Sequence, residues 1–183
     1  MLSLLMCGGE GSRLKAGEKP LFVVCGKRLV DHSLEELADF EVVAVTSPKC
    51  PKTEKYLRSL GVEVYRARGS GFVEDYVEAC RSLQIREPVL IVSADLVYIR
   101  RGLLKEVASF YASTRKPALC VLAGGKPVGI NVVHAAMLDS AQEEDIFIIS
   151  ERDVVNVNTL DDARRAEALW MSTRSAGDGS WRG

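Results

Sequence analysis

Several marks of common protein classes are missing from this sequence. Its 183 residues include only two histidines, His32 and His134, and neither has a serine, cysteine or aspartate at triad-like positions. A nucleophilic hydrolase therefore has no support. His32 is expected on a helix surface and His134 at a strand end. The five cysteines, Cys7, Cys25, Cys50, Cys80 and Cys120, stand singly, without Cys-x-x-Cys or a neighbouring histidine. That spacing fits neither a zinc site nor a disulfide framework, and it points to a reduced, cytoplasmic setting. No apolar run approaches the length of a membrane span, so no membrane span is expected. Met1 to Cys7 is too short for a signal core and has no basic flank. Net charge is −1, so no global field draws a nucleic acid or an anionic membrane. Any anionic ligand must be held by local cations and backbone N–H groups. The two most familiar phosphate-loop patterns, Gly-x-x-x-x-Gly-Lys-[Ser/Thr] and Gly-x-Gly-x-x-Gly, are also absent.

What is present begins at the first residues. The apolar run Leu2 to Cys7 stops at Gly8-Gly9, and Glu10, Gly11, Ser12, Arg13 and Leu14 follow, then Lys19-Pro20-Leu21. A strand that ends in glycines brings backbone N–H groups against a ligand with no Cβ in the way. Arg13 and Lys19 supply the charge to neutralise an anion there. A tight strand-to-helix connection is the other reading of the glycines alone. Lys15 and Glu18, in the spacer before Lys19, are read as ordinary loop residues.

Strand-like runs alternate with helical patterns, which predicts an α/β fold with a mostly parallel central sheet flanked by helices. Strands are expected at Leu2 to Cys7, Glu41 to Thr46, Val62 to Tyr65, Pro88 to Ser93, Ala118 to Ala123, Val128 to His134 and Val154 to Val157. Ile146 to Ile149 is a further apolar run. Lys19 to Val24 reads as a short extended piece. Helices are expected at Val30 to Leu37, Lys52 to Leu60, Phe72 to Leu83 and Gly102 to Tyr111, and from Thr159 onward. Pro88 to Ser93 is apolar on both faces, as a buried central strand should be. Gly61 is placed to close its helix, and Thr159 with Asp162 resembles a capping box. One domain, residues 1–171, is expected, with a flexible tail over 172–183 that includes Trp181.

In an open parallel sheet, ligands sit outside the carboxyl ends of the strands. The chemistry-bearing residues fall at those ends: Gly8 to Arg13, Thr46-Ser47-Pro48-Lys49, Gly69-Ser70-Gly71, Ser93-Ala94-Asp95 and Asn156-Val157-Asn158-Thr159. Asp95 emerges from the apolar run Val89 to Val92, where a carboxylate can begin a Mg²⁺ site built with phosphates and water. An Asp that caps the following turn is the bland alternative. Asn158 is a candidate second, neutral metal ligand, or an ordinary helix cap. Lys49 and Lys52 either assist the phosphates or belong to a solvated face. Glu74 and Asp75 open a helix, where the dipole favours acids; a carboxylate there also has the chemistry to meet a guanine edge or a ribose hydroxyl. Gly129 and Asn131 lie in a strand directed toward the switch region. A glycine there lets a bulky acceptor approach the backbone.

Gly-Gly-x-Gly-[Ser/Thr]-Arg-[Met/Leu] followed by Lys-Pro-Leu resembles the signature loop of the Rossmann-like nucleotidyltransferases. That group includes the molybdenum-cofactor guanylyltransferases and the sugar-1-phosphate nucleotidyltransferases. Further segments narrow the likeness: Thr46-Ser47-Pro48-Lys49-Cys50-Pro51-Lys52-Thr53, Gly69-Ser70-Gly71-Phe72-Val73-Glu74-Asp75, and Pro127-Val128-Gly129-Ile130-Asn131-Val132-Val133. Together they resemble the archaeal GTP:adenosylcobinamide-phosphate guanylyltransferases, over residues 4 to about 169. The resemblance implies GTP and a corrinoid phosphate as substrates, Mg²⁺ as cofactor, no nucleic acid partner, and a homodimer as one option for assembly. It implies Arg13, Lys19 and Asp95 as catalytic residues. It implies nucleotide contacts from Cys7, Gly8, Gly9, Glu10, Gly11, Ser12, Thr46, Ser47, Pro48, Gly69, Ser70, Gly71 and Asp75 beside them. Gly129 and Asn131 would hold the acceptor, and Asp95 and Asn158 the metal. Molybdopterin or a sugar 1-phosphate as acceptor, and a non-catalytic GTP-binding module, remain the alternatives.

Overall fold

Apolar strands and amphipathic helices alternate as expected in the computed structural model, which describes residues 1–9, 14 and 17–177. β1 (Leu2–Met6) is buried and leads to Gly8 and Gly9. A 3-10 turn, Lys19–Leu21, follows, then a small ribbon of β2 (Val23–Val24) and β3 (Lys27–Arg28). Next come α1 (Leu29–Glu36), β4 (Glu41–Thr46), α2 (Pro51–Ser59), β5 (Glu63–Arg66) and α3 (Phe72–Ser82). The second half holds β6 (Pro88–Ser93), β7 (Leu96–Tyr98), α4 (Leu103–Ser113), β8 (Ala118–Ala123), β9 (Lys126–His134), β10 (Glu144–Ile149), β11 (Val154–Asn156) and α5 (Leu160–Gly177).

Seven strands form one sheet in the order β10-β8-β9-β6-β1-β4-β5. Only β9 runs against the rest. The chain winds from β1 outward through β4 to β5, then returns to the other side of β1 with β6. That reversal is the topological switch point, where α/β sheets bind ligands. Register makes the strand ends flush: Met6 lies beside Val45 and Ser93, and Thr46 lies beside Arg66. The segments after β1, β4, β5 and β6 therefore meet at one level.

The two faces of the sheet are covered unequally. Leu5, Leu90, Val92, Leu119, Ile130 and Val132 pack under α1, α2 and α4. On the other face Leu4, Met6, Val43, Val45, Val89 and Ile91 pack under α3. On β10, Ile146 and Ile148 are exposed. α5 covers a third cluster made by Leu29, Val97, Val155 and Val157.

Three expectations change. Lys19 to Val24 is not one extended piece: Pro20 sits at the start of the 3-10 turn, and only Val23–Val24 pairs as a strand. β7 was not legible, because three buried residues paired only to β11 carry no period of their own. α5 continues through Gly177, past Ser172 where the tail was expected to start. Residues 178–183, with Trp181, lie outside the described residues.

His32 is a further correction. It lies on α1 but is buried, with Nε2 2.9 Å from the Val24 carbonyl oxygen and its ring edge-on to Trp170 at 5.5 Å. A single polar residue on a helix reads as exposed until the element that covers it, here α5, is known.

Candidate active site

The flush strand ends enclose a cleft of about 270 Å³ at the switch point. Gly8 and Gly9 rim it after β1, Gly69 and Gly71 after β5, and Ser93, Ala94 and Asp95 at the end of β6. Lys19, Lys49, Phe72 and Asp75 complete the lining that matters for chemistry. Five segments that are far apart in the chain thus reach one cavity.

Asp95 lies in the turn between β6 and β7, with both carboxylate oxygens engaged. Ser93 Oγ donates to Oδ1 at 2.6 Å. Lys19 Nζ pairs with Oδ2, and it also donates to Asn158 Oδ1 at 2.7 Å. The Lys19 and Asp95 side chains are only 11% and 17% exposed, so water screens their attraction weakly. Asn158 Nδ2 donates to Asn156 Oδ1 at 2.8 Å, and Asn156 Nδ2 to the Val128 carbonyl at 3.4 Å. A continuous polar chain thus runs from Lys19 across the metal-ligand candidates to β9. Asn158 and Thr159 also donate their backbone N–H groups to Asp162 Oδ2, so the capping reading of this segment holds.

Asp75 does more than complement a helix dipole. It is buried, and its Oδ1 accepts the N–H groups of Gly69 and Ser70, each at 3.0 Å. That fixes the loop after β5, whose Gly69 adopts φ +79°. A Cβ at Gly69 would stand 3.1 Å from Ser47 Cβ, so the loop needs glycine to lie over Ser47. Oδ2 of Asp75 is turned toward Gly8.

Three other expected residues, Cys7, Thr46 and Ser47, are buried at the strand ends. The Cys7 thiol is fully buried, its backbone N–H is given to the Val45 carbonyl at 2.8 Å, and burial drives its pKa upward. The Cys7 thiolate and N–H are therefore not available to a nucleotide. Thr46 is buried, with its hydroxyl 3.4 Å from Glu54 Oε2. Ser47 is buried between the Gly8 and Gly69 loops, and its Oγ accepts the Lys49 N–H. Pro48 is exposed and touches the Gly69 approach. Glu10, Gly11, Ser12 and Arg13 lie outside the described residues.

Gly129 has a reason for being glycine besides the approach of an acceptor. Its φ is +89°, and an added Cβ would stand 2.9 Å from Ser93 Cβ. The missing side chain makes room for Ser93, which holds Asp95. Asn131 shares with Gly129 a second cavity next to the first.

Two residues went unnoticed as parts of this architecture. The Glu18 carboxylate accepts the N–H groups of Lys52 and Thr53, at 2.8 and 2.5 Å. It thereby caps α2 from the loop that carries Lys19. Ser93 was noted only as part of a strand end. An acceptor or donor two residues from an aspartate is a usable signal once the strand is known to end there.

The donor set suits a hard divalent cation. Two oxygens, from Asp95 and Asn158, already converge on one cation, the Lys19 ammonium. Among the described residues no group of three or more His, Cys, Asp or Glu residues forms a metal cage. Mg²⁺ takes one or two protein oxygens and completes its shell with phosphates and water, so these two oxygens fit it. No helix among the described residues is long and apolar enough to cross a membrane.

Comparison with known proteins agrees with this geometry. Residues 3–167 match the family model described as a MobA-like NTP transferase domain. The chain is 31% identical to adenosylcobinamide-phosphate guanylyltransferase of Methanocaldococcus jannaschii over 195 residues, covering 92% of this chain and 97% of that protein. Two solved structures share the fold. One is molybdopterin-guanine dinucleotide biosynthesis protein A of Archaeoglobus fulgidus, with TM-score 0.73, 20% identity, and 94% and 100% of the two chains covered. The other is a proposed glucose-1-phosphate thymidylyltransferase of Bacillus anthracis, with TM-score 0.73, 14% identity, and 93% and 95% covered. The chain belongs to the MobA-like NTP transferase family and is a nucleotidyltransferase.

Proposed function

We propose that this enzyme transfers GMP from GTP to adenosylcobinamide phosphate, giving adenosylcobinamide-GDP and pyrophosphate. The likeness to a guanylyltransferase of that specificity over nearly the whole chain carries the reading. The convergence of Lys19, Asp95 and Asn158 in a glycine-rimmed cleft supports it.

In the proposed reaction an oxygen of the acceptor phosphate attacks the α-phosphorus of GTP. The bond from that phosphorus to the bridging oxygen breaks, and pyrophosphate leaves with the electron pair. The acceptor is already an anion near neutral pH, so no strong general base is needed. Placement and charge compensation do most of the work. Asp95 and Asn158 would hold Mg²⁺, which supplies charge neutralisation on the phosphates when bound. Lys19, with Arg13 from the same loop, would neutralise the triphosphate and the departing pyrophosphate. Glu10, Gly11 and Ser12 would complete that loop beside Gly8 and Gly9. Ser93 keeps the Asp95 carboxylate in one orientation. Asp75 Oδ2 is the proposed acceptor for the adjacent N1–H and N2–H donors of guanine, a pair that adenine does not present. Gly69, Ser70 and Gly71 would lie along the nucleoside, and Gly129 and Asn131 toward the acceptor. The cytoplasm is the proposed compartment, which the buried thiols of Cys7, Cys80 and Cys120 support.

Pyrophosphate release from GTP, measured with each acceptor in turn, tests the reading. Adenosylcobinamide phosphate should be consumed, molybdopterin and glucose 1-phosphate should not, and ATP should replace GTP poorly. Turnover with molybdopterin or a sugar phosphate, and none with the corrinoid, would leave the transfer chemistry standing and overturn the acceptor.

A further inference from the structure

A second cavity, of about 460 Å³, opens beside the nucleotide cleft. The two share Phe72 and Ser93, so a ligand in the second cavity reaches the neighbourhood of Asp95. Gly129 and Asn131 of β9 form part of its floor. Its wall is the start of α3, where Phe72, Val73 and Tyr76 face the cavity.

That wall is unusual for a helix that otherwise buries its apolar side. Phe72 is 40% exposed and Val73 52% exposed. Phe72 and Tyr76 hold each other edge-on at 6.0 Å, which fixes both rings. The apolar character continues across the uncovered sheet face. Ile146 and Ile148 alternate with Phe147, whose ring packs on Phe110 of α4, so the two isoleucines point to the open side. They are 49% and 77% exposed. Apolar surface left open next to a catalytic carboxylate marks a ligand site.

We infer that Phe72, Val73 and Tyr76 form a platform for the apolar body of a large macrocyclic acceptor. The acceptor's phosphate would point past Ser93 toward the α-phosphate of GTP. This rests on the acceptor proposed above and adds what selects it. A large corrin presents ring carbons and methyl groups between its amide arms, and these gain from covering such a wall. A sugar phosphate does not, because its hydroxyls would lose water against carbon and find few partners. Selection of a corrinoid over a sugar then comes from the start of α3, and the phosphate-handling residues are common to both reactions.

The test compares Val73→Asp, Val73→Leu and wild type in steady-state kinetics with adenosylcobinamide phosphate, and in GTP binding by calorimetry. Val73 lines the second cavity and not the first, and its exposure makes either substitution compatible with folding. Val73→Asp should raise KM for the corrinoid at least about tenfold, the scale for losing an apolar contact in a pocket. Its Kd for GTP should stay within a factor of about two. Val73→Leu should keep the wild-type KM. Leu60→Ser, at an exposed apolar position after α2, should change neither value. An unchanged corrinoid KM in Val73→Asp, with a wild-type enzyme that turns the corrinoid over, would overturn the platform alone. A wild-type enzyme that ignores the corrinoid would overturn the acceptor assignment, and the platform with it.

Discussion

Gly129→Ala gives the sharpest test of how the site is held together. The new Cβ would stand 2.9 Å from Ser93 Cβ, closer than real Cβ contacts, and the backbone there sits at φ +89°. Left-handed backbone costs a non-glycine residue about 1–2 kcal/mol. Forcing a methyl into an occupied space costs about 1–3 kcal/mol. Together these predict a loss of about 3 kcal/mol. For a chain of this size about 2–4 °C of Tm is lost per kcal/mol, so Tm should fall by about 6–12 °C. Activity should fall further than stability explains, because a displaced Ser93 releases the Asp95 carboxylate. The assay is thermal unfolding beside pyrophosphate release measured well below the variant's Tm. Ser93→Gly placed on top of Gly129→Ala removes the clash but not the backbone strain. It should recover part of the lost Tm and none of the lost activity. A Gly129→Ala protein with wild-type Tm and turnover would refute the argument. So would a double variant no more stable than the single one.

Two further outcomes follow from the same geometry. Asp95→Asn keeps an acceptor for Ser93 Oγ and nearly the same volume, so Tm should move by only a few degrees. Transfer should drop by about 3 kcal/mol in barrier, or more than about 100-fold, as for loss of a principal electrostatic group; wild-type turnover at saturating Mg²⁺ would remove Asp95 from the chemistry. His32 titrates at lower pH than usual, chiefly because burial disfavours its charged form. Below its ordinary value of 6.5 the unfolded chain takes up a proton that the folded chain resists, so stability is full above pH 6.5 and falls as pH drops beneath it. Thermal melts from pH 7.5 to 5 should therefore decline more steeply for wild type than for His32→Gln, and parallel curves would contradict the assignment.

Much of the fold was legible because the strands are simple. Pro88 to Ser93 reads as buried on both faces, and the structure buries Leu90 and Val92 on one side and Val89 and Ile91 on the other. Helix boundaries were marked by Gly61 and the Thr159–Asp162 box, whose side chains and backbone exchange the expected hydrogen bonds. What escaped were features defined by partners distant in sequence. β7 exists through its pairing with β11, and His32 is buried because α5 lies across α1. Period and propensity carry no information about such long-range cover.

The site shows the same division more sharply. Residue types at strand ends pointed to Gly8, Gly9, Lys19, Gly69, Gly71, Asp75 and Asp95, and all of them line one cleft. A parallel sheet brings its carboxyl ends together whatever the loops contain, so topology alone made that inference strong. The roles inside the cleft were another matter. Cys7 belongs to the same strand end as Gly8, yet the pleat turns its thiol inward and register commits its N–H to Val45. Gly129 was legible as a special position and not as a neighbour of Ser93, because β9 pairs with β6 in an antiparallel register that no local pattern encodes. Glu18 looked like loop filler, although its carboxylate couples the segment bearing Lys19 to the first turn of α2. Sequence order therefore identifies which residues reach the cleft, whereas the cross-strand register decides which of them face the ligand and which hold the others in place.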